Sequence, residues 1–269
     1  MVIPVADALD LLRLGDLEIE GRLVDASNTT LRAEITFDGV TARCVYKPVR
    51  GERPLWDFPD GTLAGREVGA YLVGAATGWD PVPPTVLRDG PFGPGACQLW
   101  IDEVDPDAAA APEPLLGFAP ARQVPDGWHR VAAARDDTGK PFVLAHADDQ
   151  RLARLAAFDV VVNNADRKGG HILQADGHVY GVDHGVCFHT ENKLRTILWG
   201  WVGDPFPGDV TEVLRKIRAD LDGALGEALA EHLTVAEVAA AVERTERLLA
   251  TGTYPLPSDD WPAVPWPPI

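Results

Sequence analysis

Asn163-Asn164-Ala165-Asp166-Arg167-Lys168-Gly169-Gly170-His171-Ile172-Leu173, followed by Gly181-Val182-Asp183-His184-Gly185, is the stretch on which the fold turns. Upstream, residues 149–162 carry Leu152, Leu155, Phe158 and Val162 at helical spacing, with Asp148 or Asp149 placed to cap the N-terminus. The paired asparagines and Gly169-Gly170 break that helix. Residues 171–174 and 178–182 then read as short strands joined by the turn Ala175-Asp176-Gly177. Asp166 therefore follows a buried helix and Asp183, seventeen residues on, follows a buried strand. Both emerge at one edge of the same lobe.

Two loop aspartates separated by a hairpin suit phosphoryl transfer, in which one orients an acceptor hydroxyl and the other holds magnesium on nucleotide phosphates. The remainder of that machinery is sought upstream. Residues 17–23 and 30–37 read as a hairpin whose tip, residues 24–29, lacks glycine. In a nucleotide cleft its amides and the Ser27 or Thr29 hydroxyls, with Asn28 between them, face phosphates; otherwise it is an ordinary hairpin. Residues 41–49 alternate as a strand with Lys47 on the face opposite Cys44 and Tyr46, and a helix over 63–75 carries Glu67 beside its apolar stripe. A strand lysine followed by a helix glutamate is the pair that grips α- and β-phosphates, although such a lysine is as often an exposed edge residue. Strands over 82–87 and 97–101 then run into an Ala- and Pro-rich connector. There the backbone of Leu99, Trp100 and Ile101 is placed to meet an adenine edge, or the segment is a plain linker.

Composition narrows the partners. A net charge of -17 over 269 residues argues against nonspecific nucleic-acid binding and against docking on an anionic membrane. Cys44, Cys97 and Cys187 are too dispersed for a zinc cluster and too few for a disulfide framework, which suits a cytoplasmic protein. No signal peptide or membrane-spanning run is read, and no internal repeat. Near the C-terminus, Thr234-Val235-Ala236-Glu237 is a capping box for a helix running to about Ala250, and the Pro- and Trp-rich residues 254–269 read as a surface tail.

The chain resembles the phosphatidylinositol 3-/4-kinase superfamily of atypical kinases, in the flavour of type II phosphatidylinositol 4-kinases and HipA-like kinases, and looks like a member of an actinobacterial group named for that relationship. The matching pieces, in family order, are Val45-Tyr46-Lys47-Pro48, Arg66-Glu67-Val68-Gly69-Ala70-Tyr71-Leu72, Gln98-Leu99-Trp100, Asp166-Arg167 and Val182-Asp183-His184-Gly185. The resemblance implies that Lys47 binds ATP phosphates, Glu67 orients it, Asp166 is the catalytic aspartate and Asp183 the principal magnesium ligand. Arg167 and Lys168 complete the catalytic loop, with Arg167 bracing it.

Two positions depart from the family. His171 stands where asparagine is usual, and an imidazole suits manganese better than magnesium. His171 then binds no metal, or binds manganese, or the protein holds nucleotide without turnover. Lys168 replaces a histidine common in the lipid kinases, which favours a protein or small-molecule acceptor, although Lys193 and Arg195 could meet a phosphorylated head group. The expectation is an α+β, two-lobe, protein-kinase-like fold. Residues 1–101 form a small antiparallel-sheet N-lobe, 102–125 a hinge and 126–269 a mostly helical C-lobe. Its activity is ATP-dependent phosphotransfer with Mg2+ or Mn2+. The competing readings are a nucleotide-binding pseudokinase, a metal-dependent hydrolase using the four histidines between His171 and His189, and an aminoglycoside-kinase-type variant of the first.

Overall fold

The computed structural model describes residues 3–23, 28–103, 112–135 and 138–269. Five antiparallel strands form the first sheet, in the order β1-β2-β3-β5-β4: β1 (Asp16–Arg22), β2 (Leu31–Phe37), β3 (Val40–Pro48), β4 (Thr85–Gly90) and β5 (Gly93–Leu99). The period-2 pattern does what it should: Leu31, Ala33 and Ile35 of β2 and Cys44 and Tyr46 of β3 turn inward while their neighbours face out. Leu11 and Leu12 of α1 (Val5–Leu14), a helix the sequence reading did not anticipate, cover that inner face. The expected strands at 82–87 and 97–101 are displaced. Pro83 and Pro84 cannot donate to a ladder, so β4 starts at Thr85. Gly93, at φ 95°, closes a tight turn that lets β5 begin four residues before Cys97. Ile101 lies beyond the strand.

Helix α2 (Leu63–Thr77) starts where the Thr62 side chain accepts from Gly65 N at 2.9 Å and ends at Gly78 in the left-handed region. It is buried on almost every side, between the sheet and the helical body. The expected connector 102–125 carries secondary structure near its end. Its residues 104–111 lie outside the described residues, but Leu116–Pro120 is a strand, β6, in a second antiparallel sheet with β7 (Trp128–Arg135) and β8 (Pro141–Ala147), ordered β6-β8-β7. Alanine and proline conceal its alternation; pairing with the apolar β8 holds it in place.

Helix α3 (Gln150–Val162) is capped by Asp149 and stops at Asn163, φ 51°. The hairpin β9 (Ile172–Ala175) and β10 (His178–Gly181) turns through Asp176 and Gly177, both at positive φ. Helices α4 (Gly208–Leu221), α5 (Ala224–Ala230) and α6 (Val235–Thr251) complete the body around the larger core, and Thr234 and Glu237 form the expected capping box. The tail is more than a surface strap. Pro268 O accepts from Gly169 N at 2.8 Å and Ala263 O from Thr196 N at 3.0 Å, so it splints the segments around Asp166. All three cysteines are buried and free. Among the described residues no helix is long and apolar enough to cross a membrane.

Candidate functional site

Lys47 reaches from the sheet into the space between the two halves of the molecule, where its Nζ bonds Glu67 Oε1 of α2 and lies 2.8 Å from Asp183 Oδ1. Glu67 is buried, and its second oxygen accepts from His184 N at 3.0 Å. The three residues thus link β3, α2 and the turn after β10. Burial pulls the Lys47 ammonium down, but Asp183 and Glu67 outweigh it and the net shift is upward. Lys47 holds the half-exposed Asp183 carboxyl well below the usual range. Burial pushes Glu67 up against the pull of Lys47. Asp183 sits at φ 60°, a left-handed conformation uncommon outside glycine, which turns its carboxylate back toward Lys47.

Asp166 is presented by a rigid frame. Asn164 Oδ1 accepts from Asp166 N at 2.9 Å, and Asn164 Nδ2 donates to Asp159 Oδ1 at 3.0 Å. Arg167 is wholly buried, forked onto Asp159 at 2.9 Å through Nε and Nη2, and it also donates to His171 O, Val182 O and the His184 ring. It therefore braces the two aspartate loops against each other and cannot touch a substrate. Asn163 donates to His189 O and Glu191 O and accepts from Lys193 N, tying in the segment after Asp183. The sequence reading took both asparagines as helix breakers, counted His184 only within the turn motif and the histidine cluster, and passed over Asp159. The signal for Asp159 was present, since a polar residue inside an apolar helical stripe has to be satisfied by something nearby.

The expected site residues fall on two adjoining cavities. The first, ≈ 530 Å³, is walled by Val45, Lys47, Leu99, Trp100, Ile101 and Asp183, among others. The second, ≈ 510 Å³, holds Asn28, Glu67, Asp166, Lys168 and Arg195. Lys47, His171 and Asp183 belong to both. Lys168 Nζ pairs with Asp166 Oδ2 at 2.9 Å. Asn28 Oδ1 accepts from Arg53 N at 2.9 Å, so it steadies the 50–61 loop over the second cavity. Ser27 lies outside the described residues. The adenine-edge expectation is narrowed: Leu99 N already donates to Pro84 O and Trp100 N to Arg43 O. Lys193 does not face the cavity but is buried against Asp57 and the Trp261 ring.

His171 decides whether this junction fits a divalent cation. Its Nδ1 lies 3.0 Å from Asp166 O and so carries the proton, which leaves the Nε2 lone pair facing Asp183 Oδ2 at 3.4 Å. Burial holds the imidazole below its ordinary pKa, hence neutral. Two electron-rich atoms face each other with no proton between them, near the ~3 Å separation of neighbouring ligands on one small cation. The pair fits a metal ion. The remaining histidines do not converge on it: His178 bonds Asp80 O, His184 is buried beneath Arg167, and His189 accepts from Glu191 N. Among the described residues no group of three or more His, Cys, Asp or Glu is arranged to hold a metal.

No protein-family model matches the chain. A relative from Mycobacterium tuberculosis (strain ATCC 25618 / H37Rv), Protein Rv2133c, is 50% identical over 258 residues that cover 94% of this chain and 92% of its own. A crystal structure of the Golgi casein kinase with Mn/ADP bound aligns at TM-score 0.54 and 14% identity, covering 92% of this chain and 75% of the kinase. The structure of hydra Fam20 with sugar aligns at TM-score 0.53 and 14% identity, covering 92% and 87%. Likeness at that identity establishes the fold, which is kinase-like and α+β.

Proposed function

The chain belongs to the family of Protein Rv2133c, and we propose that it is an ATP-dependent phosphotransferase acting on a hydroxyl acceptor, of the phosphatidylinositol 3-/4-kinase-like group. The observation that carries this reading is the Glu67–Lys47–Asp183 chain standing at the junction of two cavities, with Asp166 in the second. Residues 1–101 serve as the N-lobe, 126–269 as the C-lobe, and 102–125, with β6 at its end, as the connector. The first cavity takes the nucleotide. Its adenine edge meets the Ile101 amide, since those of Leu99 and Trp100 are engaged.

Lys47, held by Glu67, pairs with phosphate oxygens. Asp183 and His171 hold Mg2+ or Mn2+, an ion that supplies positive charge where the phosphates carry negative charge. A nitrogen ligand in that pair favours manganese. Asp166 orients the acceptor hydroxyl, and Lys168 beside it is free to exchange its carboxylate partner for a phosphoryl oxygen. The catalytic contribution is position and charge rather than covalent chemistry.

We infer the character of the acceptor from the second cavity. Its acids are all engaged: Glu52 by the Leu63 and Ala64 amides, Asp57 by Lys193, Glu67 and Asp183 by Lys47, and Asp166 by Lys168. Arg53 and Arg195 have no carboxylate partner among the described residues. Either guanidinium is placed to pair with an acidic group on a small hydroxyl compound.

Calorimetric titration with ATP, in magnesium and in manganese, tests the reading. Binding should require the metal and be lost in Lys47→Ala and in Asp183→Ala. Asp166→Ala should bind normally and lose turnover by roughly 10²–10³-fold or more. Equal ATP binding in wild type and both cleft variants would overturn it.

A further inference from the structure

A third cavity, ≈ 420 Å³, is lined by the C-terminal half of α6, by Asn192 and Leu194 and by residues 253–256. Its polar lining is Arg244 and Arg247 of α6 with Asn192, Thr251 and Thr253; its apolar lining includes Leu194, Leu248 and Leu256. Among the described residues no acid lines it. In a chain of net charge -17 that is the reverse of the expected surface.

Arg244 makes the absence of an acid matter. Its side chain is 8% exposed, with Nε donating to Val161 O at 3.2 Å and Nη1 to His189 O at 3.0 Å, while Nη2 has no partner. Burial lowers its pKa to about 10, which leaves it charged at neutral pH. The acids nearest in effect do not bond it: Glu237 is committed to Arg66 and Thr234, and Glu243 is exposed. A buried cation held only by neutral carbonyls retains most of its desolvation cost, and an anion is the group that offsets it. Arg247, exposed at the rim without a carboxylate partner among the described residues, adds a second positive charge at the same cavity.

We propose that this cavity is a binding site for an organic anion, a phosphate or carboxylate head on a short apolar body, with the head between Arg244 and Arg247 and the body against Leu248 and Leu256. The inference is independent of the phosphotransferase reading. The site adjoins the Asp166 frame, because His189 O, which accepts from Arg244, also accepts from Asn163 Nδ2 at 2.8 Å.

Calorimetry on the full chain with hexyl phosphate, hexanoate, inorganic phosphate and hexanol provides the test. Hexyl phosphate or hexanoate should bind at one site per chain, about tenfold or more tighter than inorganic phosphate, since buried methylenes add to the charge. Hexanol alone should give no saturable heat. Arg247→Glu reverses an exposed charge without touching the core and should weaken binding by at least about tenfold. Arg244→Gln should abolish it, and if that variant fails to fold, Arg247→Glu and Leu256→Glu decide. Three results would each overturn the proposal: affinity unchanged in Arg247→Glu, stoichiometric displacement of the probe by ATP with manganese, or no saturable binding up to about 10 mM.

Discussion

A lysine between two carboxylates of different origin couples two jobs: Glu67 fixes where Lys47 points, and Asp183 fixes what it neutralises. The same economy holds for His171, whose proton is pinned on Nδ1 by Asp166 O and whose free nitrogen faces Asp183. On the proposed function, the metal preference is a single-residue property. In His171→Asn an amide oxygen replaces the imidazole nitrogen, and hard oxygen ligands suit magnesium. The variant should bind ATP with magnesium at least as tightly as wild type and lose several-fold of its manganese affinity. Titrations in each metal read this directly. A preference for manganese undiminished in the variant would show that His171 does not ligate.

At the scale of elements, α3 and the hairpin β9–β10 are held in register by one buried group. Arg167 joins Asp159 of α3 to the carbonyls on either side of the hairpin. Removing one partner of a buried pair costs about 3–5 kcal/mol, because the other is left unpaired. Arg167→Ala should therefore lower the urea midpoint sharply. Gly181→Ala provides a subtler probe, since a Cβ there would come within 2.7 Å of Arg167 Nη2. It should depress ATP turnover more than fold stability, as both aspartate loops shift while the core stays packed. A variant with wild-type turnover would show the brace to be dispensable. These elements also show what could be read in advance. Helix α3, the Asp176-Gly177 turn and the capping box at Thr234 are local signals, and each lies where spacing and turn chemistry put it. That Lys47, Glu67, Asp166 and Asp183 would line one cavity was legible by order along the chain. The sheet β6-β8-β7 was not, because β6 lies in an Ala- and Pro-rich stretch and becomes a pattern only once paired with β8. Nor was the cage around Lys193, which needs Asp57 and Trp261 brought together from opposite ends of the sequence.

For the whole molecule, two effects compete as pH falls. Loss of negative charge from a chain at -17 relieves self-repulsion and favours the compact state. Against this stand buried histidines whose pKa values burial depresses: His146 to about 4, His184 well below the ordinary value, and His171 and His232 in the same direction. Unfolded, each titrates near ~6.5, so between that value and its folded pKa the unfolded chain binds more protons, and stability drops as pH drops. His146 alone, whose ring accepts from Gly200 N at 3.1 Å and packs on Trp201, spans a window worth up to about 3 kcal/mol. Few carboxylates titrate before pH 5, so the histidines should dominate from 6.5 down to 5. Urea midpoints should fall between pH 7.5 and 5, and His146→Gln should flatten the slope while lowering the starting value. Salt separates the two causes, because it screens surface repulsion and leaves the burial of neutral imidazoles untouched. A midpoint that rose on acidification at low salt, and ceased to rise at high salt, would mean that repulsion between surface acids outweighs the buried histidines in this chain.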